Sequence, residues 1–204
     1  MRGKAVTAFG DWAMCRLESA EVGGGIGHEP TRRFLEEVGV PLRAPFFQFD
    51  VEFLDRPVVL GEYASEAAGE WGRLLRIGHS ADSESLWLDP ESGVVRCFPL
   101  GWEKVPSVVN GGVAELVTFL AEIERQRFHK GVPLDELEDD ELAYELLEEM
   151  TEQLMDLDPA AFEGESPWGG WLDDPLAWGG LEWEWDSEAE EFLKERGIAL
   201  PAQD

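Results

Sequence analysis

The stretch "RIGHSADSESLWLDPESGVVRCF", residues 76–98, decides the fold, because it reads either as a catalytic segment or as strands joined by turns. His79 stands close to Ser80, Ser83, Ser85 and several acids, which are the ingredients of a hydrolase. The apolar pattern argues otherwise. "RLLRIG" (73–78), "SLWLD" (85–89) and "VVRCF" (94–98) are three short runs of bulky residues. Between the last two lies "DPESG", with Pro90 suited to the second position of a turn and Gly93 to its positive-φ exit. That is a hairpin signal. "HSADSE" then becomes the polar loop joining the first two runs. A nucleophilic serine needs a structured elbow, a base and an oxyanion hole, and none of these serines sits in G-x-S-x-G. The segment reads as scaffold.

Upstream, "EVGGGIGHEP" (21–30) is a loop, and Thr31 is placed to cap a short helix, "TRRFLEEVGVP", stopped by Gly39 and Pro41. "FFQFDVEF" (46–53) alternates as a strand should, and "PVVLGEY" (57–63) is a second, weaker strand candidate. Downstream, "KVPSVV" is a strand ending at Asn110, which can cap the next helix. In that helix Val113, Leu116, Val117, Leu120 and Ile123 recur at steps of three and four. Gly131 and Pro133 break the chain. A second helix follows, with Ala143, Leu147, Met150, Leu154 and Leu157 on one face and acids on most of the rest. The tail carries two "WGG" units at 168–170 and 178–180, and a last helix is expected over about 187–196, capped by Ser187.

In order and local wording these elements resemble the SUKH superfamily of bacterial immunity proteins, most closely its fourth subfamily. The residues that carry the resemblance are "PTRRFLEEVGVP", "LLRIG", "LWLDPESGVVRCF" and "VVNGGVAELVTFL", together spanning about residues 28–128. The usual Asn-Ser-Ser start of the last helix appears here as Asn110-Gly111-Gly112. The resemblance implies an α+β fold, a twisted and mostly antiparallel sheet packed by helices. It also implies a non-enzymatic protein that binds and neutralises a cognate toxin of a polymorphic toxin system, often a nuclease or nucleic-acid deaminase.

Charge supports a binding role independently. The net charge is −28. Residues 1–130 hold 20 acids against 14 bases, a net −6, whereas residues 131–204 hold 24 acids against two bases, a net −22. The expected organisation is therefore a core over 1–130 and an acidic, Trp-rich, helical C-terminal extension over 131–204, packed on that core. Such a surface repels nucleic acid and anionic membrane, and either speeds encounter with a basic partner or serves only as a solvated, solubilising face. A toxin acting on nucleic acid must present a basic cleft. Candidate partner-binding residues are Asp139, Asp140, Glu141, Trp168, Trp171, Trp178 and Trp183. The tryptophans, Trp185 included, have a second reading as packing residues that hold the tail on the sheet, and that reading is preferred.

Other chemistry finds no support in the residues. His28, His79 and His129 lie some fifty residues apart without ligand spacing, and "DELEDDELAYELLEE" lacks the glycine and alternation of an EF-hand loop. "GGGIG" lacks the strand and helix of a phosphate-binding loop. No cofactor and no metal are expected. Cys15 and Cys97 read as reduced thiols, with a disulfide between them the lesser alternative. No apolar run approaches the roughly 18 residues that span a bilayer. Asp11 interrupts the weak patch after Arg2 and Lys4 before a secretory segment develops. The reading is a cytoplasmic, monomeric toxin-binding protein. The alternative is an intracellular scaffold or regulatory adaptor of the same fold that binds a host protein.

Overall fold

The computed structural model describes residues 2–10, 14–17, 25–50, 53, 57–63, 69–80, 84–98 and 105–173. Its centre is a six-stranded antiparallel meander: β3 (Arg43–Ala44), β4 (Phe47–Phe49), β5 (Leu75–Ser80), β6 (Ser85–Leu88), β7 (Val95–Phe98) and β8 (Ser107–Asn110), in spatial order β3-β4-β5-β6-β7-β8. Two short ribbons flank it. One pairs β1 (Met14–Cys15) with β2 (Val40–Pro41), the other β9 (Phe128–His129) with β10 (Val132–Pro133). The helices are α1 (Arg2–Phe9), α2 (Glu29–Glu37), α3 (Leu60–Tyr63), α4 (Val113–Gln126), α5 (Asp140–Leu157) and α6 (Pro167–Trp171). The architecture is α+β, a mostly antiparallel sheet packed by helices.

The hairpin expected at 85–98 forms, with Leu88 opposite Val95 and Ser85 opposite Phe98. Asp89 organises its turn. Its Oδ1 accepts from the N–H of Glu91 (3.0 Å) and of Ser92 (3.4 Å), and its backbone oxygen accepts from Gly93 N (2.8 Å). Gly93 has φ +81, and a Cβ there would run into the His28 ring and the Thr31 hydroxyl, so this turn packs flush against the start of α2. Arg73 grips the same Asp89 with two hydrogen bonds, 2.8 and 3.2 Å.

Burial alone would raise the pKa of Asp89, but the Arg73 guanidinium and the turn's donors outweigh it and hold the carboxyl well below its usual range. A depressed folded-state pKa contributes stability above the unfolded value, about 3.9, and that contribution is lost as pH falls below it. Wild type is therefore expected to outlast Asp89→Asn in urea at neutral pH, with the gap closing below about pH 4. Parallel midpoints across that range would remove Asp89 from the acid transition.

Several boundaries differ from the sequence expectation. The α2 helix begins two residues before Thr31, because proline is tolerated in a first turn, and His28 stands at its N-cap position. Thr31 is instead buried, its hydroxyl 2.7 Å from His28 Nδ1. Strand β4 is shorter than 46–53, because Phe46 turns the chain at φ +67. The expected strand at 57–63 reduces to a single bridge, Val59 to Leu75, before the chain turns into α3. Strand β4 pairs only with residues 78–80 of β5, which leaves the first half of β5 to accept Val59 and to donate from Arg76 N to Val58 O (2.9 Å). His79, expected in the loop, lies within β5, paired with Gln48 and Ser85. Around Gly131 the chain makes a small hairpin rather than a plain break, since Lys130 (φ 53) and Gly131 (φ 83) supply the two left-handed positions of a tight turn.

The core lies between the inner sheet face and α4. Phe47, Phe49, Ile77, Leu86, Leu88, Val95 and Val109 meet Val113, Leu116, Val117, Leu120 and Ile123, the stripe expected from the sequence. Phe119 is buried too, because α4 is covered by α1 and α5 as well as by the sheet. Leu134, Leu147, Met150, Leu154, Ala161, Trp168 and Trp171 belong to the same continuous cluster. Cys15 and Cys97 are buried and are not joined in a disulfide. The helix expected at 187–196, with Trp178, Trp183 and Trp185, lies outside the described residues.

Candidate partner-binding surface

Helix α5 starts where Asp139 accepts a hydrogen bond from Leu142 N (3.2 Å), so this candidate partner residue is also the helix cap. Asp140 and Glu141 follow in the first turn, exposed, where their charges favour the positive end of the helix dipole. Ala143, Leu147, Met150 and Leu154 form the buried face. Leu157, expected on that face, is 46% exposed, because the chain leaves the core at the helix end.

The opposite face is a carboxylate surface. Glu141, Glu145, Glu148, Glu149, Glu152 and Asp156 are all exposed. At about 100° per residue they fall within an arc of roughly 100° on one side of the helix. The eighteen residues of α5 include no Lys or Arg. Among the described residues none of the six acids forms an ion pair. Spacings such as Glu141–Glu145–Glu149 and Glu148–Glu152–Asp156 place like charges four apart, each costing about 0.2–0.5 kcal/mol. The helix is held by its buried face in spite of its outer one. Tyr144 and Met155, each 45% exposed, edge the acidic arc and add apolar surface to it.

Three contacts fix this helix to the core. Asp158, just past its end, is 7% exposed and accepts from Asn110 Nδ2 (3.1 Å) and Gly111 N (2.9 Å). Asn110 thus serves Asp158 rather than capping α4, whose N-cap position belongs to Gly112. Gln126 donates to Gln153 across the α4–α5 seam (2.9 Å). Beyond α5, Ser166 caps α6 by accepting from Trp168 N (3.2 Å). Trp168 and Trp171 then point inward, packed edge-to-face against Phe47 with ring centres 5.7 and 4.9 Å away. These two candidate partner residues therefore present almost no surface, while Asp139, Asp140 and Glu141 are exposed. Trp178 and Trp183 lie outside the described residues.

Ser83 lies outside the described residues, and the other serines of the 76–98 segment are engaged structurally. Ser80 is buried and its Oγ accepts from Glu84 N (3.2 Å), and the Ser85 Oγ accepts from Trp87 Nε1 (2.8 Å). His79 Nδ1 lies 3.6 Å from Asp50, whose other oxygen pairs with Arg76 (2.9 Å). Among the described residues no group of three His, Cys, Asp or Glu side chains is placed to hold a metal ion, and no helix is long and apolar enough to cross a membrane.

No curated protein and no solved structure matches the chain. A family model does, over residues 1–175, a span that takes in the whole sheet and continues through α5 and α6. With the meander, the buried stripe of α4 and the Asn110–Gly111 junction inside that span, the chain belongs to the SUKH-4 immunity protein family.

Proposed function

We propose that the chain acts by stoichiometric, non-enzymatic binding of a cognate toxin with a basic surface, a nuclease or nucleic-acid deaminase, and that α5 presents the docking face. The observation that carries this reading is the α5 arc itself: six exposed carboxylates, no cation on the helix and none paired with them among the described residues. Such a face costs the helix stability, and it gains a return when a cationic surface approaches it. Asp139 and Asp140, beside Glu141, extend the same field around the helix start. The protein works as a cytoplasmic monomer in this reading, with the toxin as partner and nucleic acid excluded by charge.

The test uses the toxin encoded by a neighbouring gene. Calorimetric titration is expected to give one toxin per chain, and toxin activity should fall in proportion to the chain added, ceasing at equivalence. His79→Ala should change neither, because His79 sits in a sheet ladder. Protection by far less than one equivalent, or its loss in a folded, toxin-binding His79→Ala variant, would establish catalysis instead.

A further inference from the structure

Among the described residues six large apolar side chains stand exposed, and three of them, Tyr144, Met155 and Leu157, belong to the single helix α5. Tyr144 and Met155 are eleven positions apart. That puts them within about 20° of one line along the helix and about 16 Å from each other. Glu148 and Thr151 stand between them, so the four follow steps of four, three and four. The buried residues Ala143, Leu147, Met150 and Leu154 follow the same steps one position earlier. Helix α5 therefore carries two parallel seams about 100° apart, each with the spacing that lets a helix pack against another surface. The core takes one. The other runs along the edge of the carboxylate arc, with Tyr144 and Met155 at its ends. Thr151 adds little polarity to it, since its hydroxyl donates back to Leu147 O (2.8 Å).

Charge identifies what covers the second seam. Glu148 lies in it and Glu141 and Glu152 lie beside it, all exposed, on a helix without Lys or Arg. A second copy of the chain, brought up across a two-fold axis, would set the same carboxylates against one another. Anionic lipid and nucleic acid are repelled for the same reason. A cationic protein surface is drawn in. Tyr and Met also suit the contact itself: tyrosine is a frequent anchor of protein interfaces, and the unbranched thioether of Met adapts to irregular seats. Leu157 is as exposed as either. It lies two positions beyond Met155 and so points about 160° away from it, off the seam.

We propose that Tyr144 and Met155 anchor the toxin by entering two apolar seats about 16 Å apart on its cationic surface, while the neighbouring carboxylates set the rate of encounter. The inference rests on the toxin reading and divides the α5 face into two parts with separate kinetic signatures. The arc governs association and the seam governs dissociation. Apolar contact is not screened by salt, so the anchors hold at ionic strengths where the arc has lost its effect.

The test uses the full-length chain and the toxin encoded by a neighbouring gene. Y144A and M155A are each expected to speed dissociation roughly tenfold or more, and to change association less than about twofold. The factor should be the same at low salt and at about 1 M. Y144F and M155L keep the apolar body and should dissociate like wild type, as should L157A. Dissociation of Y144A and M155A within about twofold of a binding wild type would overturn the anchors and leave the toxin reading standing. So would a speeding that disappears at high salt, or an equal effect of L157A. A wild type that does not bind the toxin would overturn both. The unsubstituted chain gives a second measurement that requires no variant to fold. Saturating toxin should slow peroxide oxidation of Met155 to the sulfoxide roughly tenfold, and an unchanged rate would overturn the proposal.

Discussion

Trp168→Ala is expected to lower the stability of the protein by about 3–5 kcal/mol, the usual range for truncating a fully buried aromatic side chain. The residue is 0% exposed and touches three other rings, Phe47 (5.7 Å), Phe119 (5.3 Å) and Trp171 (5.2 Å). Those rings come from β4, α4 and α6, so a cavity at Trp168 loosens the sheet, the central helix and the chain that follows α5 together. A second loss adds to the cavity. The indole N–H donates to Val109 O (2.9 Å), and Val109 lies in β8, the edge strand of the sheet. Without it a buried carbonyl is unpaired and the edge of β8 is less covered. Trp168→Phe separates the two effects, since it keeps most of the ring and forfeits the donor; a cost of about 1–3 kcal/mol is expected. Urea denaturation followed by the amide circular dichroism signal measures both. If Trp168→Ala fell within about 0.5 kcal/mol of wild type, the ordinary scatter of surface substitutions, Trp168 would not be a core residue and the placement of α6 would be wrong.

What could be read from the sequence follows the range of the interaction concerned. The hairpin at 85–98 was legible because Asp89, Pro90 and Gly93 make their turn with residues two to four positions away. The α4 stripe was legible because its period is local. Phe119 was missed, since a single amphipathic face is the default reading, and α4 is covered on more than one side. The pin between Asn110 and Asp158 joins residues 48 apart, and nothing in either neighbourhood announces it. Asn110 therefore looked like a helix cap, the role its local sequence suggests. Thr31 misled for a different, local reason: the helix already begins at Glu29, and the Thr31 hydroxyl meets the ring of His28 three residues back instead of a backbone N–H. The candidate surface was legible as charge but not as geometry. A count shows that the last third is acidic, and only the packing of Ala143, Leu147, Met150 and Leu154 shows which carboxylates turn outward. Trp168 and Trp171 pack as the preferred reading of the tail tryptophans expected.

Neutralising the α5 arc is expected to slow toxin association by roughly tenfold at low salt, while leaving the fold at least as stable as before. The variant is Glu145→Gln, Glu148→Gln and Glu152→Gln together. These three lie on the acidic arc and beyond the first turn, so their loss does not disturb the Asp139 cap or the charges that favour the helix start. Asp139, Asp140 and Glu141 make a less clean choice: Asp139 holds Leu142 N, and Asp140 and Glu141 stabilise the dipole end, so a change there mixes binding with folding. In the arc the sign is reversed. Removing like charges four apart should return a few tenths of a kcal/mol to the helix. Slower association in a protein of equal or higher stability cannot then be ascribed to unfolding. Exposed charges act through solvent, so the deficit should shrink with ionic strength and nearly vanish by about 1 M salt, where the Debye length is about 3 Å. Dissociation should change less than association, because steering acts before contact. Stopped-flow association rates against salt, for wild type and the triple variant, decide the matter. Parallel salt slopes would show that this face does not steer the toxin, and would leave the acidity of α5 to solubility alone. Slopes that converge only at high salt would place the encounter surface on the side of α5 turned away from the core.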